Sequence, residues 1–174
     1  MNVETLLRQY ARGDRDFSNA ELGFVDLTKA KLSGTNLIRA NLSHALLQYA
    51  NLNGAFLILA NLEGADLSGI MAIAVNLSAA NLTEANLSHS KLTEAILTGT
   101  MLHKANLTKA DLQGAILAGA NLNSANLQNA DLTGANLYGA DLRQADLTNA
   151  VMSHANLRGA NLTGTILPER SIAV

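Results

Sequence analysis

Several residue types that ordinary domains rely on are scarce in this chain. It has no cysteine and no tryptophan among 174 residues, a single proline, and only 3% aromatic residues. Without cysteine there is no disulfide, no thiolate metal ligand and no cysteine nucleophile, and a reducing compartment is the expectation. With so few aromatic residues, the core has to be built from aliphatic side chains of modest size.

The chain also lacks a large excess of either charge and any long apolar run. Twelve basic and fourteen acidic residues leave a net charge of −2, so we expect no direct binding to nucleic acid, which requires a basic surface. No apolar run approaches the roughly 20 residues of a membrane span, and the N-terminus has no signal-peptide pattern. We therefore expect a cytoplasmic protein with no membrane partner.

What the chain does contain is a strict five-residue period. From Phe17 to Leu167 every fifth residue is Leu at 28 of 31 positions, and Ala stands two places earlier at 23 of 31. An α-helix would spread such leucines around its whole circumference, and a straight strand would point half of them outward. A chain that turns a corner in every quintet buries them all. The period therefore predicts a solenoid, and by itself allows three or four sides to a coil.

Glycine marks the predicted corner. Eleven of the 13 glycines stand two residues after the central Leu, where Asn19, Asn129 and Asn149 also occur. Gly and Asn are the residues that most readily adopt the positive φ needed at the third position of a type II turn. Each quintet thus reads as a short extended piece followed by a turn.

Runs such as Ala130 to Gly134 (ADLTG) and Ala160 to Gly164 (ANLTG) have the form A(D/N)LXX, and over residues 15–169 the chain resembles the pentapeptide-repeat family. The resemblance implies an all-β fold, a right-handed quadrilateral parallel β-helix with four quintets per coil. Its 31 quintets would make about 7.75 coils and a rod about 37 Å long at about 4.8 Å per coil. We expect three parts: an N-terminal helical cap (1–14), the repeat region (15–169) and a C-terminal tail (170–174).

The two ends of the rod receive different predictions. Residues Val3 to Arg12 are expected to form a short helix with Asn2 as N-cap and Gly13 as its stop. On that helix Leu6, Leu7 and Tyr10 would cover the first coil. At the other end Ile172 and Val174 could fold over the last coil, but this cover is thin, which makes the C-terminal end a candidate for self-association.

One quintet inside the repeat is irregular. At residues 70–74 the central Leu is replaced by Ala72, while Ile70 and Val75 are larger than the usual Ala. Large and small side chains exchange places, so the core volume is roughly conserved. Neutral drift with compensation is the preferred interpretation, and a functional kink is the alternative.

An apolar stripe is the main candidate for function. With four sides, residues 20 apart stack, and the side that contains Phe17 and Leu37 carries a series of outward apolar residues, with Met71 and Ile73 on the adjoining side. This candidate interaction stripe, for an unknown protein partner or a homodimer, consists of Ile38, Phe56, Ile58, Leu59, Ile96, Ile116 and Tyr138.

No residue pattern suggests catalysis. The four histidines are too far apart to share a metal, and a convex rod offers no pocket for a substrate. We expect no enzyme activity, cofactor, metal site or small-molecule substrate. The function predicted is a structural or interaction module. The alternative, implied by the resemblance, is imitation of duplex DNA to bind a type II topoisomerase, which the near-neutral charge disfavours.

Overall fold

The computed structural model describes residues 1–169, which form one short helix followed by a four-sided coil. The helix, α1, spans Val3–Ala11. From Asp16 to Asp146, each residue that precedes a central position forms a parallel bridge to the residue 20 positions later, as Asn36 does with Phe56. A step of 20 residues equals four quintets, so the four-sided coil is confirmed. Its right-handedness stays a prediction from the resemblance.

The bridges do not lengthen into strands. Within residues 1–169 each bridge is isolated and involves one residue of each quintet, because the chain turns immediately after the central Leu. The expectation of an all-β coil therefore holds for the pairing of the backbone, and the short extended piece expected in each quintet is a single bridge residue.

Positions in the coil have the following names. The residue before the central Leu is the leading slot, the residue after it the trailing slot, and the next one the corner slot. The first face contains Phe17, Leu37 and every twentieth residue onward to Leu157, and these eight positions number the coils 1 to 8. The second, third and fourth faces start at Leu22, Leu27 and Leu32.

Backbone hydrogen bonds explain why five residues suffice for one side. In the quintet around Leu62, the amides at the leading slot, the centre and the corner donate to the adjoining coils at 2.9, 2.7 and 3.0 Å. The amide of Ala65 closes the turn onto the carbonyl of Leu62 at 3.0 Å. The trailing amide of Glu63 donates to the Asn61 side chain at 3.2 Å. Every amide of the quintet is thus satisfied, as a tightly wound backbone requires.

The corner slot has positive φ along the rod, from 53° at Ala74 to 74° at Gly159. This confirms the turn assignment, but glycine and asparagine are not the only residues there. Within the described residues, nineteen non-glycine residues adopt the left-handed conformation, including Tyr49 and Leu59. For an L-residue that conformation costs about 1–2 kcal/mol, and the inter-coil hydrogen bonds on both sides of each corner hold it in place.

The interior consists of stacked Leu and Ala. The irregular quintet keeps this order, because Ile70, Ala72 and Val75 are all fully buried. The bridges from Asn51 to Met71 and from Met71 to Lys91 run through it unbroken. Exchange of large and small side chains inside an intact coil agrees with the interpretation of compensated drift.

The N-terminal helix caps the first coil. The Asn2 side chain accepts from the Thr5 amide at 2.8 Å, and Arg12, predicted to be helical, is the C-cap. Leu6 is buried on the first coil, with Val3 and Tyr10 packed beside it. The prediction for Leu7 was wrong: its side chain is 37% exposed, since consecutive helical residues point about 100° apart.

The other end is less covered. Phe17, Leu22 and Leu27 of coil 1 are buried, whereas Leu157 and Leu162 are half-buried and Leu167 is 42% exposed. The residues expected to fold over this end, Ile172 and Val174, lie outside the described part of the chain. Among residues 1–169, no helix is long and apolar enough to cross a membrane.

Candidate interaction surface

The leading slot has a structural role wherever it holds Asn or Asp. Every Asn or Asp at that slot accepts, through Oδ1, a hydrogen bond from the trailing amide of its own quintet at 2.9–3.2 Å. This is an Asx turn, which short polar side chains form readily. Some side-chain amides also donate to the leading residue of the preceding coil, as Asn106 Nδ2 does to Asn86 Oδ1 at 3.1 Å. Most of the polar surface therefore maintains the coil.

All seven residues of the predicted stripe lie on the first face with no member in the core. Three are half-buried and four are exposed, with Met71 and Ile73 exposed on the adjoining fourth face. The half-buried members are Ile38, Ile58 and Ile96, and the exposed ones are Phe56, Leu59, Ile116 and Tyr138.

The stripe is divided in two at coil 4. There the outward residues are Asn76, Ser78 and Ala79, and Asn76 Oδ1 accepts from both the amide and the hydroxyl of Ser78, at 3.0 and 2.7 Å. The N-terminal apolar cluster lies on one side of this polar coil and the C-terminal apolar cluster on the other. The N-terminal cluster is Ile38, Phe56, Ile58 and Leu59; the C-terminal cluster is Ile96, Ile116 and Tyr138.

Three stripe residues occupy leading slots and so replace the Asx turn. The backbone amide at the trailing slot, two residues after each of Phe56, Ile96 and Ile116, has no protein acceptor within residues 1–169. Each replacement forgoes a hydrogen bond that contributes about 0.5–1.5 kcal/mol. The first face thus presents apolar side chains beside open backbone donors, at a cost to the stability of the coil.

A second exposed patch was missed from the sequence. Phe24 stacks on His44 with ring centroids 5.0 Å apart and planes 21° apart. Leu46 and Tyr49 are exposed nearby on the third face. Tyr49 lies where a side chain at Gly69 would be, with Cε1 2.6 Å from an ideal Cβ. The signal was available, because Phe24 and Tyr49 occupy corner slots that usually hold small or polar residues.

The polar groups are arranged for structure. Among residues 1–169, no group of three His, Asp or Glu side chains could hold a metal ion. The side chains of Thr148 and Gln128 hydrogen-bond to Asp146 and lower the pKa of its carboxyl. The Arg143 side chain does the same for Asp141, in an ion pair of 2.7 Å. Lowered pKa values keep these carboxylates charged, whereas a general acid needs a raised one.

Comparison with known protein families agrees with this geometry. Eight copies of the pentapeptide-repeat pattern match the chain, over residues 16–48, 40–78, 73–108, 105–144 and 130–167. The chain belongs to the pentapeptide-repeat family. Members of this family are built from the same quintet, so the A(D/N)LXX motif and its coil are family properties. A comparison with curated proteins gave no match.

Solved pentapeptide-repeat structures are similar to this chain. A trypsin-treated QnrB1, a plasmid-mediated fluoroquinolone resistance protein, is 22% identical over 90% of this chain and 86% of its own, with a TM-score of 0.65. HetL from the cyanobacterium Nostoc sp. strain PCC 7120, involved in heterocyst differentiation regulation, is 31% identical over 99% of both chains, with a TM-score of 0.32. Rfr23 from the cyanobacterium Cyanothece 51142 is 29% identical over 94% of this chain and 97% of its own, with a TM-score of 0.40. The likeness to QnrB1 shows the fold alone.

Proposed function

We propose that this pentapeptide-repeat protein is a non-enzymatic interaction module whose rigid rod binds a protein through its first face. The observation that carries the proposal is the concentration of seven outward apolar residues on that face. Three of them, Phe56, Ile96 and Ile116, replace the Asx turn. The polar residue would stabilise the coil and keep the surface soluble. Apolar residues that do neither are accounted for by a partner that covers them.

The rod is suited to such a role because the coil itself needs no partner. Four of the five amides in a quintet bond to the backbone, and the interior is closed by Leu and Ala, so the outward residues can vary without changing the fold. Repeat rods bind through extended surfaces of this kind. We place this interaction in the cytoplasm, since the chain lacks cysteine and is thus compatible with a reducing compartment.

The alternative function is imitation of duplex DNA toward a type II topoisomerase. The likeness of the fold to QnrB1 favours it, because the rod has the same kind of coil. The charges of this chain disfavour imitation of DNA. A DNA duplex of the rod's length, about 37 Å, carries about 22 charges at about one per 1.7 Å. The chain has 14 acidic residues against 12 basic ones, and Asp141 and Glu84 are paired with Arg143 and Lys104. A gyrase supercoiling assay decides: inhibition at micromolar protein supports imitation, and full supercoiling refutes it.

The proposal is tested with a photo-crosslinking amino acid placed at Ile116 and, as a matched control, at Met101. Both are leading-slot apolar residues of similar exposure, 39% and 44%, but Met101 lies on the second face. In the cells that make the protein, we expect a discrete adduct from position 116 and none from position 101. Equal adduct patterns, or no adduct from either, would refute the first face as the contact surface.

A further inference from the structure

The corner column beside the first face differs between the two halves of the rod. In coils 1 to 4 the column carries side chains, the largest being Arg39 and Leu59, whereas in coils 5 to 8 every corner residue is glycine, from Gly99 to Gly159. At Gly99, Gly119 and Gly139 no atom lies within 4 Å of where a Cβ would be. The first face therefore has a ridge along one half and an open trough of equal length along the other.

We propose that the first face binds the first face of a second copy, with the two rods antiparallel around a two-fold axis between coils 4 and 5. This rests on the proposed function and names its partner. A two-fold axis there pairs coil 4 with coil 5, coil 3 with coil 6, coil 2 with coil 7 and coil 1 with coil 8. The ridge of each copy then lies in the trough of the other, as a self-complementary contact requires.

In this register the apolar residues meet one another. Phe56 of coil 3 faces Ile116 of coil 6, and Ile38 of coil 2 faces Tyr138 of coil 7. Leu59 lies over the bare corner at Gly119. A parallel pair would instead place the corner column of each copy over the leading slots of the same coils in the other, so that neither ridge would lie over a trough.

The polar and charged residues also match. The outward slots of the first face carry three charged residues: Asp16 in coil 1, Arg39 in coil 2 and Arg158 in coil 8, all exposed. Antiparallel rods bring Arg158 of each copy to Asp16 of the other, at both ends of the contact. Parallel rods bring like charges together, which is unfavourable. Ile96, opposite Asn76, is the one stripe residue that faces a polar side chain.

The size of the surface suits a stable dimer. Three outward slots in each of eight coils give about 24 residues per copy, and a standard interface has about 20–30 residues and about 800 Å² per partner. Interfaces of that size bind with micromolar or tighter dissociation constants. A dimer should therefore be populated at protein concentrations of about 100 µM.

The first test measures solution mass by analytical ultracentrifugation. The chain of 18.3 kDa is expected to sediment at twice that mass. Phe56→Asn and Ile116→Asn should each raise the dissociation constant by at least about 30-fold, as central apolar contacts do. Both restore the Asx turn, so at protein concentrations low enough for the wild type also to be monomeric their thermal midpoints should not fall below that of the wild type. The matched control Met101→Asn makes the same change on the second face and should leave the dimer intact.

The second test determines orientation, using the absence of cysteine. Nitroxide labels are attached to single cysteines at Lys29, His89 and Asn149, all corner residues of the third face with φ of 58–60°. Lys29 and Asn149 are six coils apart, about 29 Å, with His89 midway. If the rods are antiparallel, the distance between the two copies' labels is short when both are at His89 and longer when both are at Lys29 or both at Asn149. It is short again when one copy is labelled at Lys29 and the other at Asn149.

Three outcomes overturn the proposal. A monomer at about 100 µM with no intermolecular dipolar coupling excludes self-association at the affinity expected. The same distance at all three positions shows parallel rods. A dimer that survives both first-face substitutions but not Met101→Asn places the contact on another face. If the protein is monomeric while position 116 still gives an adduct with a different protein in cells, the proposed function stands and only the choice of partner fails.

Discussion

The hydroxyl of Ser90 supplies a prediction that tests how the interior is held. Ser90 occupies a slot that usually holds Ala, is 1% exposed, and its Oγ has no hydrogen-bond partner in the described chain. Thr100 occupies an equivalent slot and is also fully buried, but its hydroxyl donates to the carbonyl of Leu77 at 2.9 Å. We expect Ser90→Ala to stabilise the protein and Thr100→Ala to destabilise it.

The magnitudes follow from the two environments. An unsatisfied buried hydroxyl costs about 1–3 kcal/mol, and Ser90→Ala removes it without a cavity larger than one oxygen atom. We expect a gain of about 1 kcal/mol, the lower end, because a Ser side chain can rotate in search of a partner. Thr100→Ala loses a hydrogen bond and a buried methyl group, for a loss of about 2 kcal/mol.

Urea unfolding followed by circular dichroism measures both changes. The m-values of the two variants must equal that of the wild type, since a repeat rod that unfolds in stages does not yield one free energy. A chain of this size should shift its thermal midpoint by about 2–4 °C per kcal/mol. If Ser90→Ala destabilises the protein by as much as Thr100→Ala does, the Ser90 hydroxyl is hydrogen-bonded in solution and the reasoning fails.

Three further predictions concern the coil surface. Gly34→Ala should destabilise the protein by about 1 kcal/mol in urea unfolding, because φ at Gly34 is +66° and an L-residue is strained there. Gly23→Ala, at a trailing slot without positive φ, should stabilise the protein by about 0.4–1 kcal/mol. Effects of equal sign would contradict the turn assignment. Met101→Asn should raise stability by about 0.5–1 kcal/mol by restoring an Asx turn; a thermal midpoint below that of the wild type would refute the role given to that turn. The lowered pKa values of Asp141 and Asp146 mean that their contribution is present above the unfolded pKa of about 3.9 and lost as pH falls through the folded pKa. The thermal midpoint should therefore drop as the pH falls below about 5, and drop less in the double Asp→Asn variant. An equal drop would assign the acid sensitivity to other groups.

The sequence predicts the coil well because the period is geometrically restrictive. Burying every fifth residue requires a corner in each quintet, and the structure has that corner at every position from Asn19 to Gly164. The number of sides could not follow from the period, because three or four sides both place the leucines inside. It required the family resemblance, and the 20-residue bridges confirm it.

Other details depend on tertiary contacts that a pattern does not contain. On α1 the sequence suggests Leu6, Leu7 and Tyr10 as one covering face, but the helix rests on the coil through Val3, Leu6 and Tyr10. The axial rotation of a short helix is set by what lies beneath it, including the bond from Tyr10 to the carbonyl of Ser33 at 3.2 Å. Likewise, residues such as Tyr49 were not predicted to take positive φ, because propensity alone disfavours it.

Departures from the repeat fall into two physical kinds, and the difference supports the choice of site. At Ile70, Ala72 and Val75 the departure is internal and compensated, so the coil loses nothing and no function is needed to explain it. At Phe56 and Ile116 the departure is external and uncompensated: a stabilising hydrogen bond is given up and apolar surface is exposed. Residues that break a local rule without a structural gain are expected at functional sites. On this criterion the first face is favoured over the interior irregularity.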